Sequence, residues 1–214
     1  MANRELSLDQ IALRKGFWEP ESDDEVTFCT HRLRQDGEQR VVFRPAVEHI
    51  VFRGFWIVLF AACAPLGPLV KLGVVGSARN LTWRGALVWF LLCAFMAGLG
   101  VVQLRSAIAP IWFDKRSGFT WRGKEGPPDD PELASGRGGR VALAEIVALQ
   151  VLAEVIHRRR TGRFTGYELN LVLANGKRVN VVDHAKKRAL VVDAEALGKF
   201  LGVPVLAGQV KYED

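Results

Sequence analysis

The sequence has few cysteines, and they form no pattern that carries chemistry. Cys29, Cys63 and Cys93 make no CxxC pair and no Cys/His cluster with the spacing of metal ligands. An odd number without a pattern argues against a disulfide framework and favours soluble parts in a reducing compartment. We therefore expect neither a structural metal nor a disulfide scaffold.

Reactive motifs are also missing. The chain contains no GxSxG, HExxH, GxGxxG or P-loop motif, and the glycine-rich 136–139 is not flanked by a strand and a helix in a phosphate-binding arrangement. Asp183-His184 is the best reactive pair, because a carboxylate beside an imidazole could orient a base. Since no nucleophile is apparent, we interpret Asp183 as a cap and His184 as a partly exposed side chain. We predict no catalytic residue, no cofactor and no enzymatic activity.

The N-terminal region, residues 1–44, lacks the apolar core of a signal peptide and carries seven acidic residues before position 26. Within it, LSLDQIALRKGFW could form a short amphipathic helix on the membrane or on the C-terminal domain. Val26 to Leu33 and Arg40 to Phe43 read as two short strands around an Asp-Gly turn. The sequence leaves open whether this hairpin joins a later sheet.

Two long apolar segments dominate residues 45–105. The first has no charge from Gly54 to Val70, and Pro65 and Pro68 within it predict a kink. The second has no charge over the twenty residues from Gly85 to Leu104, which as a helix would rise roughly 30 Å, the thickness of a bilayer core. We predict two transmembrane helices, at about 50–72 and 85–105, against the alternative of buried helices in a soluble protein.

Flanking residues predict how these helices lie in a membrane. Trp56, Trp83 and Trp89 are candidate anchors at headgroup level. Nine Lys/Arg side chains lie in the flanks 34–53 and 105–124, whereas the connecting loop holds three. The positive-inside rule then places both termini in the cytoplasm of a bacterium, with the protein integral to its inner (plasma) membrane.

The remainder, residues 106–208, reads as a small antiparallel β domain closed by a helix. Asn175-Gly176 is a strong hairpin signal, and Gly202 followed by Pro204 is typical of a helix end. The leucines of 167–173 alternate with Glu168, Asn170 and Val172, which therefore occupy the opposite face. The predicted elements are strands at Ile111–Asp114, Phe119–Arg122, Arg140–Leu143, Val147–Ile156, Tyr167–Leu173 and Arg178–Asp183, and a helix at Leu190–Leu201.

This order of elements resembles the bacterial pleckstrin-homology-like membrane proteins, in which membrane helices are joined to a small bent sheet capped by a C-terminal helix. The resemblance implies an α+β fold, a two-helix transmembrane hairpin plus a PH-like domain, over about residues 50–206. Such domains mostly act as scaffolds or binding modules, so the resemblance implies no catalytic residues.

A basic segment, 157–163, is predicted to be a loop. Its arginines could face anionic lipid headgroups, each contributing about 1 kcal/mol near the surface, or a partner protein, or only solvent. They are Arg158, Arg159, Arg160 and Arg163. No recognition helix is visible, so nucleic acid is not an expected partner. The sequence is also compatible with a homo-oligomer.

Three functional hypotheses follow. The first is a membrane-anchored, non-enzymatic interaction or scaffold module whose β domain binds a partner protein or headgroups. The second is an immunity-type inner-membrane protein that neutralises a toxin. The third, which the missing nucleophile disfavours, is an enzyme using Asp183 and His184.

Overall fold

The computed structural model describes residues 7–13, 17–19, 29–76, 81–123, 126, 140–158 and 162–208. The chain divides into two compact units: a helical unit, Val47–Ile108, and a β unit, Met1–Ala46 with Ala109–Asp214. The described elements in chain order are α1 (Leu8–Ala12), β1 (His31–Gln35), β2 (Arg40–Pro45), α2 (Val47–Cys63), α3 (Leu66–Lys71), α4 (Trp83–Ala107), β3 (Ile111–Asp114), β4 (Phe119–Arg122), β5 (Arg140–Ala142), a 3-10 turn (Leu143–Glu145), β6 (Ile146–Arg158), β7 (Gly162–Leu173), β8 (Arg178–His184), α5 (Lys187–Leu201) and β9 (Val205–Ala207).

The first sheet of the β unit is an antiparallel meander in the order β1-β2-β3-β4-β5. The N-terminal hairpin joins it, because β2 pairs with β3 so that Phe43 faces Ile111. The turn between β1 and β2 contains Gly37 at φ 88°, a conformation that favours glycine. The helical unit is thus inserted between two strands that are neighbours in one sheet.

The second sheet has the order β8-β7-β6-β9. The β6–β7 and β7–β8 pairs are antiparallel, and β9 runs parallel to β6, with Val205 beside Leu149. Helix α5 ends at Gly202, whose φ of 77° is left-handed, as the sequence predicts. The short parallel strand β9 after it was not predicted.

The main core lies between the inner faces of the two sheets and one face of α5. Alternate residues of β2, β3 and β7 point into it, and α5 contributes Leu190, Ala194 and Leu197 at helical spacing. Burying each large aliphatic or aromatic side chain contributes about 1.5–3 kcal/mol. Its fully buried larger members are Phe43, Phe113, Leu149, Leu169, Leu190 and Leu197.

The helical unit consists of α2, α3 and α4. Because Pro65 has no N–H, it cannot bond the carbonyl of Ala61, and α2 ends at Cys63 before α3 begins at Leu66. The predicted break is therefore present. Two glycines allow close helix packing: a Cβ on Gly67 would lie 2.9 Å from Cδ1 of Trp89, and one on Gly100 would lie 2.9 Å from Cγ1 of Ile57.

Two helical stretches, Val47–Lys71 and Trp83–Ala107, are long and apolar enough to cross a membrane. The first begins a turn earlier than its predicted start at about 50, so it includes His49, which accepts a hydrogen bond from Nε of Arg53 at 2.8 Å. By length and composition, the two stretches agree closely with the predicted spans.

Candidate functional site

The outer face of the second sheet carries a cluster of polar side chains where a sheet face usually meets water. Residues alternate along a strand, so those between the core leucines of β6 and β7 point outward. We call Gln150, Glu168, Asn170 and Arg178 the outer polar cluster. Gln150 and Asn170 are fully buried, and Glu168 is 3% exposed.

An N-terminal segment, which we call the strap (residues 7–13 and 17–19), covers this face. Ser7 begins α1 with a capping box, because its side chain accepts from Gln10 N–H and the Gln10 side chain accepts from Ser7 N–H. Ile11 and Phe17 are buried against Ala148 and Val172 of the sheet. Within the segment predicted as an amphipathic helix, Leu8–Ala12 is helical and residues 17–19 form a turn. The segment packs on the β unit, which is one of the two locations considered for it.

Hydrogen bonds join the outer polar cluster to the main chain of the strap. Gln150 Nε2 donates to Phe17 O at 2.7 Å. Arg178 Nη1 donates to Phe17 O at 2.8 Å and to Glu19 O at 2.6 Å. The Arg178 guanidinium also lies 5.9 Å from the centre of the Phe17 ring, within the range of a cation–π interaction.

Within the cluster the side chains bond one another. Asn170 Nδ2 donates to Glu168 Oε1 at 2.6 Å, and Arg178 Nη1 lies 3.3 Å from Gln150 Oε1. Asn170 Oδ1 is buried and accepts no hydrogen bond from any part of the chain that the structure describes. A buried amide oxygen without a donor costs about 1–3 kcal/mol, so this face has acceptor capacity that the strap does not use.

The sequence placed Glu168, Asn170 and Val172 on the face opposite the leucines, and the structure confirms that alternation. It did not identify their partners, because Gln150 and Phe17 lie 133 positions apart. The signals in the sequence were the capping box at Ser7 and the polar residues that alternate with leucines in β7. Neither signal indicates that the N-terminal segment packs on this strand.

Asp183 and His184 take part in hydrogen bonds close to the start of α5. His184 is 1% exposed, so the prediction of a partly exposed side chain is wrong. Its Nδ1 accepts from Lys186 N–H at 2.9 Å, at the start of α5. Asp183 Oδ1 accepts from Asn180 Nδ2 at 2.9 Å, and the Asp183 carbonyl accepts from Thr30 Oγ1 at 2.7 Å. Both residues therefore have hydrogen bonds within 180–186, and the contact from Thr30 adds a link from Asp183 to a residue distant in the chain.

The basic segment is a strand hairpin over more of its length than predicted. His157 pairs with Arg163 and Arg158 with Gly162 as β6 and β7 continue, so the predicted loop over 157–163 is wrong at those four positions. Cross-strand pairing overrides their low strand propensity. Residues 159 and 160, and the side chains of Arg158 and Arg163, lie outside what the structure describes.

The three candidate membrane anchors occupy different depths of the apolar helices. Trp83 is the first residue of α4. Trp56 lies about 14 Å along the helix from Val47, at 1.5 Å per residue. Trp89 lies about 9 Å into α4 and donates its indole N–H to Cys63 O. Their role at a membrane interface stays a prediction.

The carboxyl group of Asp193, in the β unit, has a shifted pKa. Asp193 on α5 accepts from Leu33 N–H at 3.2 Å, which ties α5 to β1. Burial raises the pKa of Asp193 above its ordinary 3.8, and the Leu33 hydrogen bond, Arg32 and Arg34 act in the opposite direction without cancelling that effect. Among the described residues, no group of three or more His, Cys, Asp or Glu could hold a metal ion.

The chain is thus an α+β protein with two antiparallel-rich sheets and two apolar helices of membrane-spanning length. A scan against protein-family models and searches of curated proteins and of solved structures find no match to it.

Proposed function

We propose that this protein is a membrane-anchored, non-enzymatic interaction module: the helical unit lies in a bilayer, and the β unit binds a partner on the cytoplasmic side. The observation that carries this proposal is the apolar surface of the helical unit. Within the most apolar 18-residue stretch of each long helix, only 11% is buried. Large side chains such as Phe55 and Phe95, at 58% and 66% exposed, point outward.

Such a surface does not suit water. Exposed apolar patches on a soluble domain rarely exceed a few hundred Å², and a core helix of a soluble protein would be mostly buried. Lipid chains are the natural environment for a helix that is apolar on all sides. The charged and polar groups of these stretches lie toward their ends, as in Glu48, Arg53 and Arg105.

The β unit supports the binding role by its architecture. Two largely antiparallel sheets enclose one core, and helix α5 closes it. That arrangement supports membership of the PH-like class, in which the domain presents a surface to a partner. The short parallel strand β9 and the insertion of the helical unit after β2 are features of this chain.

Fractionation tests the membrane location. We expect the full-length chain to remain in the membrane pellet after carbonate extraction at high pH and to be released by detergent. Recovery of the folded chain in the aqueous fraction without detergent would overturn the proposal.

The β6–β7 hairpin is the proposed contact with anionic headgroups. Its four arginines cluster in sequence at the end of the hairpin. In nanodiscs, amide exchange over residues 157–163 should be slower with anionic lipid than with zwitterionic lipid alone. High salt should remove the difference, because surface attraction is screened within about 10 Å at 0.1 M salt.

A matched pair of variants sharpens this measurement. Replacing Arg158, Arg159 and Arg160 by Gln should abolish the lipid-dependent difference. Replacing Lys186, Lys187 and Arg188 by Gln removes the same charge from an exposed site elsewhere and should leave it intact. If the two triple variants had equal effects, the lipid-dependent difference would depend on net charge and not on a headgroup site at the hairpin.

A further inference from the structure

The contacts between the strap and the second sheet are those of a bound peptide. The outer polar cluster recognises two main-chain carbonyls, those of Phe17 and Glu19, and the sheet buries two apolar side chains, Ile11 and Phe17. Recognition of main-chain groups together with a few side-chain pockets is one way in which proteins bind peptide segments.

We infer that the outer face of β6–β8 is a peptide-docking groove, and that the strap is its intramolecular occupant. When the strap leaves, the groove takes a segment of a partner protein that offers an aromatic side chain, the main-chain carbonyl of that residue and the carbonyl two residues later. This inference rests on the proposed function, since it names the surface through which the module binds its partner.

The groove contains a hydrogen-bond acceptor that the strap does not use. A sheet face that only needed a cover would be apolar, because burying polar groups costs free energy unless each is bonded. Here Glu168, Asn170 and Gln150 are buried on this face of the sheet, and Asn170 Oδ1 accepts no hydrogen bond from the described residues. An N–H or O–H group of another ligand would satisfy that oxygen.

The strap is also joined to the β unit in a way that permits exchange. Nine residues lie between Glu19 and Cys29, and an extended chain of that length reaches up to about 30 Å. Tethering on so short a linker gives an effective concentration of the order of millimolar. A free partner segment must therefore bind more tightly than the strap or act when the strap is weakened.

The test uses the full chain in detergent micelles and a fluorescein-labelled peptide with the sequence of residues 7–19. Wild-type protein should bind the peptide weakly, because the groove is occupied. An Ile11→Ser, Phe17→Ala double variant removes both apolar anchors, and its peptide affinity should rise at least tenfold in fluorescence anisotropy. Adding Arg178→Ala should then lower that affinity at least tenfold by removing the donor to both carbonyls.

Leu13→Ser is the matched control, because Leu13 lies in the same segment and is 86% exposed; it should behave as wild type. A second version leaves every contact intact: a protease site is placed within residues 20–28 and cleaved, after which the labelled peptide should replace the cut strap. Failure of the peptide to bind a natively folded opened or cleaved chain would overturn the inference.

The outcomes distinguish the proposal of a docking groove from the proposal of a membrane-anchored module. The peptide assay is read in micelles, so a chain that stays in the membrane pellet but binds no peptide would refute the groove alone. A wild-type dimer that dissociates on cleavage would show the strap in a second copy and overturn the intramolecular assignment.

Discussion

Trp89 of α4 donates its indole N–H to the main-chain carbonyl of Cys63, at 2.9 Å, at the residue where α2 ends. In an uninterrupted helix the Cys63 carbonyl would accept from residue 67. The break before Pro65 leaves that carbonyl at a helix end, where its partner must come from elsewhere. A neighbouring helix supplies it, which is how a proline break is tolerated in an apolar environment.

Trp89→Phe should therefore weaken the helical unit while leaving its apolar character unchanged. Interhelical hydrogen bonds in membrane proteins contribute about 0.6 kcal/mol on average and up to about 1.7, and the smaller ring loses packing as well. We expect a loss of about 1–2 kcal/mol in detergent unfolding. Trp83→Phe, at a residue that is 57% exposed, should change stability by much less.

Gly67→Ala should separate α3 from α4. The new Cβ would lie 2.9 Å from Trp89 Cδ1 and 3.2 Å from the backbone oxygen of Ala86, and backbone cannot rotate away. Overpacking of this kind typically costs about 1–3 kcal/mol. The measurement is detergent unfolding monitored by Trp fluorescence, which also reports the environment of Trp89.

Gly98→Ala is the control for that substitution. A Cβ on Gly98 meets nothing within 4 Å, and alanine favours the helix by up to about 1 kcal/mol. This variant should be as stable as wild type or more so. If both glycine variants lost stability equally, steric contact with Trp89 would not be the reason.

The local elements of this fold could be read from the sequence. Strands β3 and β4 occupy the predicted positions, since Ile111–Asp114 and Phe119–Arg122 flank a turn that holds Gly118 at φ 76°. The two apolar helices and the proline break also follow from composition. In each case the deciding residues lie within one or two turns of one another.

The features that could not be predicted from the sequence arise from contacts between positions that are distant in the chain. β9 is three residues long, too short for a recognisable alternation, and it exists because β6 offers it an edge. The groove under the strap joins Phe17 to Gln150 and Arg178. Neither end specifies the other, because Gln150 and Arg178 read as ordinary polar strand residues.

His184→Ala tests whether this histidine is structural. The imidazole is buried, and its Nδ1 accepts the N–H of Lys186 where α5 begins. Removing it leaves a cavity and an unpaired backbone donor, so we expect a loss of about 2–4 kcal/mol in thermal or denaturant unfolding. Lys186→Ala, at an exposed side chain, should be nearly neutral. A His184→Ala chain as stable as wild type would return His184 to the list of candidate reactive residues.

Asp193 provides a prediction about pH. Burial favours its neutral form, so its pKa in the folded chain is raised above the ordinary 3.8 despite Arg32 and Arg34 nearby. A carboxyl group with a raised folded pKa binds more protons when folded than when unfolded. Its favourable contribution is fully present below pH 3.8 and is lost as pH rises through the folded pKa.

Asp193→Asn removes this titration and keeps an oxygen that can accept from Leu33 N–H at the same place. The stability of wild type relative to this variant should therefore fall as pH rises from 3.8 through the raised pKa and then level off. Unfolding temperatures of both chains across that range measure the difference, and Glu195→Gln, an exposed carboxylate on the same helix, controls for net charge. A difference that instead grew with pH would mean that the nearby arginines outweigh burial, and that Asp193 fastens α5 to β1 as an ion pair instead of a buried hydrogen-bonded acid.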